Sequence, residues 1–240
     1  MIHRKLVVFD LDGTLYRGDA PLWLWANRIA AGMESRRQKK FLAAVDDHLS
    51  GRRLAGGDNW QAVVGLAEPW VRDPNVWAEA FWAMRQDLLS DLSGIEVPSG
   101  LPAFLQEARH YARLAVVTNS PADAALPLLH KLGLAELFER VVADAGKPAG
   151  LLAAGELLAN GVPVGERASI GDHYDNDIAP AYAAGWFTAH LSPRAVFAGP
   201  STCRGRILEE VLPGLREWLV GDVPVPEGIP RAQAEKSTQA

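Results

Sequence analysis

An apolar run, Leu6-Val7-Val8-Phe9, ends in two acids one residue apart, Asp10 and Asp12, followed by Gly13-Thr14. Apolar, partly β-branched residues bounded by turn formers read as a buried strand. Two carboxylates at the end of such a strand repel each other by roughly 4 kcal/mol at about 4 Å and an effective dielectric near ~20. Whatever this chain folds into must bring compensating charge to that point.

The remaining pattern says what surrounds the strand. Residues 19 to 90 read as four helices. Asp19 is placed to cap the first, with Pro21 in its first turn and Leu22, Trp25, Ala26 and Ile29 on one face. The second runs from about Glu34 to Leu49 and stops at Gly51. A third begins near Asp58, and Asp73-Pro74 opens a fourth carrying Trp77, Ala80, Phe81, Met84 and Leu88. Four amphipathic helices in succession make a small bundle. Beyond it, short apolar strands alternate with helices: 114–118, 141–142, 168–170 and 186–191, with a helical face at Leu101, Leu105 and Ala108 and another helix from Ser120-Pro121 to Gly133. That alternation predicts an α/β fold, a doubly wound (Rossmann-like) parallel sheet with the helical bundle inserted after its first strand. The expected domains are residues 1–16 with 95–220 as the core, 17–94 as the inserted bundle, and 221–240 as a disordered tail rich in Pro, Gly, Gln and Lys.

The 240 residues suffice for one large domain with an insertion. A net charge of −5 gives no electrostatic reason to expect nucleic acid or an anionic membrane. Cys203 is the single cysteine, which excludes an intramolecular disulfide and a cysteine-rich zinc site. No signal-peptide pattern precedes Asp10 and no apolar run approaches the roughly 18 residues needed to span a bilayer. A cytoplasmic protein is therefore expected.

In an open parallel sheet, ligands sit outside the carboxyl ends of the strands. That edge collects Asp10 and Asp12, then Thr118-Asn119-Ser120, then the stretch "IGDHYDND" with Asp172, Asp175 and Asp177, while Lys147-Pro148 lies in a loop before a helix. Clustered carboxylates without histidine or cysteine partners favour a hard divalent cation such as Mg²⁺. A cation, a lysine and a hydroxyl converging on a carboxylate suit an incoming phosphate.

"DLDGTL", "VVTNS", "KP" and "GDHYDND", in this order, resemble the four motifs of the haloacid dehalogenase (HAD) superfamily. The insertion resembles that superfamily's helical C1-type cap, and Val97-Pro98-Ser99-Gly100 is similar to its re-entry segment. The likeness spans residues 5 to 192 or so. It implies a phosphatase in which Asp10 is the nucleophile and Asp12 protonates the leaving alcohol and later deprotonates water. It also implies Mg²⁺ held by Asp10, the backbone carbonyl of Asp12 and Asp172, with Asp177 in the second shell, and a phosphoryl group met by Thr118, Asn119 and Lys147. The segment from Phe138 to Lys147 is short, which leaves the reach of Lys147 open, and "KPAG" lacks the second proline often found there. Dehalogenases of this superfamily use no metal and lack an acid at the position of Asp12. A phosphomutase would use the same residues. A binding module descended from such an enzyme would have lost one of them, and none is missing.

The expected partner is a small phosphomonoester. Arg36-Arg37-Gln38-Lys39-Lys40 reads as a solvated helix face. Six of eight tryptophans fall between residues 19 and 90, more than a small bundle readily buries; Trp23 and Trp25, two apart, cannot share one buried face. This leaves a substrate pocket or a cap-mediated homodimer contact for one of them. His173 reads as a loop residue, and Asp175 as an acid lying between the two motif acids, with the metal's water shell as its alternative role.

Overall fold

The computed structural model describes residues 5–56 and 58–221; most of the expected tail lies outside them. Six parallel strands form one sheet: β1 (Lys5–Phe9), β2 (Ala112–Val117), β3 (Arg140–Val142), β4 (Arg167–Gly171), β5 (Phe187–Leu191) and β6 (Cys203–Gly205), in the order β3-β2-β1-β4-β5-β6. The chain winds to one side of β1 and then to the other, so β1 lies at the switch point where open α/β sheets bind ligands. Register pairs Phe9 with Val116 and with Ile170, which sets the ends of β1, β2 and β4 side by side.

The chain divides into two compact units, one comprising the residues up to Tyr16 and from Val97 on, the other Arg17–Glu96. In the first, β1 is buried on both faces. Leu6 and Val8 pack with Ala115, Val117 and the helix Ala149–Ala159 through Leu151, Ala154 and Leu158, and Trp186 closes that core. Gly155 makes this closure possible, because a Cβ there would stand 2.1 Å from Trp186 Cη2. Arg167 holds the ring from another side, its guanidinium 5.9 Å from the ring centroid. Gly155→Ala is therefore expected to destabilise the protein. The gain of about 1 kcal/mol in helix propensity is outweighed by overpacking at about 1–3 kcal/mol or more, and a lower urea midpoint would show it.

The strand β6 and a helix at Leu208–Val220 were not anticipated from the sequence. The helix buries Leu208, Val211, Leu212, Leu215, Trp218 and Leu219. Lys5 ties down its end, donating to the carbonyls of Trp218 at 2.5 Å and Gly221 at 2.7 Å, where a cation complements the helix dipole.

The second unit contains α1 (Ala20–Ala30), α2 (Ser35–Leu49), α3 (Asn59–Ala67) and α4 (Pro74–Ser90). Its core joins Leu22, Trp25, Ile29, Phe41, Val45, Val63 and Met84. Three helix starts carry side-chain caps. Glu34 accepts from the Arg36 amide, Asp73 accepts from the Asn75 amide, and Asp58 forms a reciprocal capping box with Gln61. Asp19 is a correction: it occupies the N-cap position of α1 but in a helical conformation, and its side chain makes no capping bond. Trp25 is buried against Trp60 and Trp77, with ring centroids 5.5 and 6.0 Å apart, while Trp23 is only half-buried. The basic run on α2 is exposed, and Arg37 and Lys40 lie over the ring of Trp70. No helix among the described residues is long and apolar enough to cross a membrane.

Candidate active site

The turn after β1 is built to pack carboxylates. Asp10 continues the β1–β4 ladder, its amide donating to Ile170 at 2.9 Å, and the chain then folds back so that the Leu15 amide reaches Leu11 at 3.0 Å. Gly13 sits at φ +84°, and a Cβ there would lie 2.4 Å from Asp172 Oδ2. Glycine supplies both the left-handed backbone and the room for Asp172.

After β4 the chain makes a π-helical turn, Tyr174–Ile178, of the kind found at functional sites. It swings Asp177 back over the strand end. The Asp177 carbonyl accepts from Ser169 at 2.7 Å, and its Oδ2 accepts from the His173 amide at 3.1 Å. Gly171 leaves the space, because a Cβ there would fall 2.4 Å from Asp177 Oδ2. One carboxylate oxygen from each of Asp10, Asp172 and Asp177 then lies within 4.8 Å of the other two. Asp175 is exposed and outside this group. His173 caps the π-turn, its ring accepting from the Asn176 amide.

Lys147 reaches the cluster despite the short segment before it. The loop after β3 is stitched to the end of β2: the Asp144 amide donates to Ser120 and the Ala145 amide to Thr118, both at 3.0 Å. The Asn119 amide then brackets Lys147, accepting from its N–H at 2.7 Å and donating to its carbonyl at 3.2 Å. The glycine of "KPAG" is demanded by the same loop, since a Cβ on Gly150 would meet the Ala145 carbonyl at 1.6 Å. The result places Lys147 Nζ 2.6 Å from both Asp10 Oδ1 and Asp177 Oδ1, with its side chain 3% exposed. Asn119 therefore commits its side chain to the lysine loop. Asn119→Ala is expected to loosen that loop and cut turnover by about ten-fold with little change in KM, the signature of a group that positions another.

Asp12 stands apart from the carboxylate group. Its Oδ1 accepts from the Tyr16 hydroxyl and its Oδ2 from the Ser120 hydroxyl, the latter at 2.7 Å. Thr118 is buried at the end of β2, its hydroxyl oxygen accepting from the Ser120 amide at 3.0 Å. Sequence reasoning missed Tyr16 and Ser120. Ser120 lies inside the quoted "VVTNS", but Tyr16 sits four residues past Asp12 in a turn, where no periodicity singles it out.

The electrostatics are unbalanced. Four carboxylates, Asp10, Asp12, Asp172 and Asp177, share this strand edge with one ammonium. Burial pushes the Asp10 carboxyl up to about 7, with Asp177 and Asp12 adding to it and Lys147 pulling against it. Burial works against the Lys147 ammonium, but Asp10 and Asp177 more than offset this and hold its pKa above the ordinary lysine value. A hard divalent cation fits this donor set: three converging carboxylates, no nitrogen or sulfur donor, and negative charge in excess. Cys203 is removed from this chemistry, because burial pushes its thiol up to about 11.

In the second unit, Trp23 lines a cleft of about 710 Å³ together with Asp19, Asp87, Ser90 and Asp91. Arg28 pairs in a fork with Asp87, at 2.5 and 2.8 Å. An acidic rim is a poor host for a phosphate.

An open parallel sheet thus carries its carboxylates at the switch point, with a lysine delivered to them from a neighbouring loop. The model of one family, haloacid dehalogenase-like hydrolase, matches residues 4–185, and the chain belongs to that family. No curated protein matches the chain significantly. Among solved structures it is similar to YfnB from Bacillus subtilis bound to magnesium, with 17% identity, 89% of this chain and 99% of that chain covered, and a TM-score of 0.63. It is also similar to a HAD phosphatase from Thermococcus onnurineus, at 20% identity, 88% and 97% coverage and a TM-score of 0.58. A 2-haloacid dehalogenase from Pseudomonas syringae shares 20% identity over 90% and 99% of the chains, with a TM-score of 0.55. At these identities the likeness is one of fold.

Proposed function

We propose that this hydrolase is a Mg²⁺-dependent phosphatase that cleaves a small phosphorylated metabolite through an aspartyl-phosphate. The observation that carries the reading is the group formed by Asp10, Asp172 and Asp177 around an excess of negative charge, with Lys147 on the nucleophile. Dehalogenation by the related enzymes needs no cation, and such a group would only burden it. Asp12 favours phosphorus chemistry for the same reason, as an acid without a task in a dehalogenase. The solved structures of similar fold include the magnesium-bound YfnB and the Thermococcus phosphatase but also dehalogenases, so the choice rests on the site residues.

Asp10 and Asp172 would hold the cation, together with the Asp12 carbonyl that the family pattern assigns, and Asp177, whose oxygens accept from Lys147 and the His173 amide, would support them. When bound, the cation supplies positive charge that offsets the repulsion between Asp10 and the phosphate and the charge developing on the phosphoryl oxygens. The Asp10 carboxylate attacks phosphorus, and the bond to the alcohol breaks as Asp12 gives that oxygen its proton. Asp12, now ionised, takes a proton from water as the water oxygen attacks phosphorus. The acyl-phosphate bond breaks, Asp10 is regenerated and inorganic phosphate leaves. Lys147 keeps Asp10 aimed with one of its hydrogens and holds Asp177 with a second, and its third is available to a phosphoryl oxygen. Thr118 offers a hydroxyl to the same group.

The Arg17–Glu96 unit would act as the helical cap that sets specificity. A phosphomutase with the same residues is separated by its product, an isomer instead of free phosphate. The test is phosphate release from p-nitrophenyl phosphate and from a panel of metabolite phosphates, with Mg²⁺ and with EDTA. Metal-dependent release supports the reading; release of halide from a 2-haloacid without metal would replace it.

A further inference from the structure

Asp12 is gripped from two sides by segments that come from different parts of the sheet. The Tyr16 hydroxyl, from the turn after β1, donates to Oδ1, and the Ser120 hydroxyl, from the segment after β2, donates to Oδ2 at 2.7 Å. Both residues are shielded from water, Tyr16 at 2% and Ser120 at 8% exposure. A structural hydroxyl could have been met by any nearby carbonyl; these two meet the two oxygens of one carboxylate. A phenylalanine would fill the space of the Tyr16 ring without a polar atom to satisfy. A lone aspartate, by contrast, has a broad χ2 distribution and no fixed carboxylate plane.

We infer that Tyr16 and Ser120 are positioning residues for Asp12, fixing the carboxylate orientation from which it exchanges a proton with the leaving oxygen. This rests on the phosphatase reading of Asp12. One donor per oxygen defines the carboxylate plane. Proton transfer depends steeply on heavy-atom geometry, so a loosened Asp12 costs rate only where the leaving group needs its proton.

The experiment uses a matched pair of substrates, phenyl phosphate and p-nitrophenyl phosphate, and compares kcat/KM, which covers the steps through departure of the alcohol and excludes the later attack of water. Phenolate is far the poorer leaving group of the two. For Tyr16→Phe the loss in kcat/KM is expected to be at least about five-fold larger on phenyl phosphate than on p-nitrophenyl phosphate. Ser120→Ala, acting on the other oxygen, is expected to show the same bias, which keeps the test open if either variant folds poorly. In an Asp12→Asn background neither substitution should add to the loss, because the group they aim is gone. Equal losses on both substrates, or additive losses with Asp12→Asn, would overturn the inference and leave a structural role for the two hydroxyls. A wild type that releases phosphate from neither substrate nor the metabolite panel would overturn the phosphatase reading, and the inference with it.

Discussion

Asp10→Asn is expected to abolish Mg²⁺-dependent phosphate release from p-nitrophenyl phosphate, a fall of at least about 10³-fold. An amide of the same shape has no nucleophilic oxygen to form the acyl phosphate, and it gives the cation one charged ligand fewer. The opposite sign is expected for stability. Burial and the neighbouring acids push Asp10 up to about 7, so its surroundings disfavour the anion even after the pull of Lys147. A neutral amide meets no such penalty. At pH 8 in EDTA the variant should therefore unfold at a urea concentration no lower than wild type, so lost activity cannot be ascribed to a lost fold. Wild type in EDTA should be inactive but folded, and Mg²⁺ should stabilise wild type more than Asp10→Asn by mass action. Turnover retained in Asp10→Asn would remove the aspartyl-phosphate from consideration.

Which parts of this molecule were legible in its sequence follows from the range of the interactions involved. The four helices of the second unit announce themselves because their signals are local: Asp58 and Gln61 form a capping box across three residues, and Leu22, Trp25 and Ile29 repeat at helical spacing. Asp19 misled, because a capping residue needs an extended backbone as well as a carboxylate, and its φ and ψ of −92° and −1° are helical. The last helix went unread although its apolar residues have the right period, since Pro213 and Gly214 sit in its middle and look like breaks. Within the site, Asp10, Asp172 and Asp177 could be placed at one edge by topology alone, because parallel strands bring their ends together whatever the loops do. Lys147 could not. Its reach depends on Asn119 bracketing a backbone 28 residues away, and such loop-to-loop bonds leave no periodic trace. Tyr16 and Ser120 were missed for the same reason: their partner is defined only once the turn after β1 has closed.

Lys147→Met is expected to have the second largest effect, and its pH dependence distinguishes electrostatics from packing. Methionine nearly matches the length of lysine but leaves the facing oxygens of Asp10 and Asp177 without their cation. Breaking a buried pair in this way costs about 3–5 kcal/mol. In metal-free wild type, the folded state binds the Asp10 proton more tightly than the unfolded chain, about 7 against 3.8. Stability should thus fall as pH rises from near 4 to near 7 and change little from this group above that. Lys147 stays protonated throughout, because Asp10 and Asp177 hold its pKa above the ordinary value. Removing it lifts the Asp10 pKa further, so the decline continues past pH 7 and the gap between wild type and variant widens from pH 6 to pH 8. Urea midpoints at pH 6, 7 and 8 in EDTA would show this, and a gap independent of pH would mean that Lys147 matters for its methylenes and not its charge. Mg²⁺ should narrow the gap, since the cation meets the same carboxylates that Lys147 has abandoned. Turnover should not return with it, because the cation cannot replace the hydrogens that hold Asp10 in line with phosphorus.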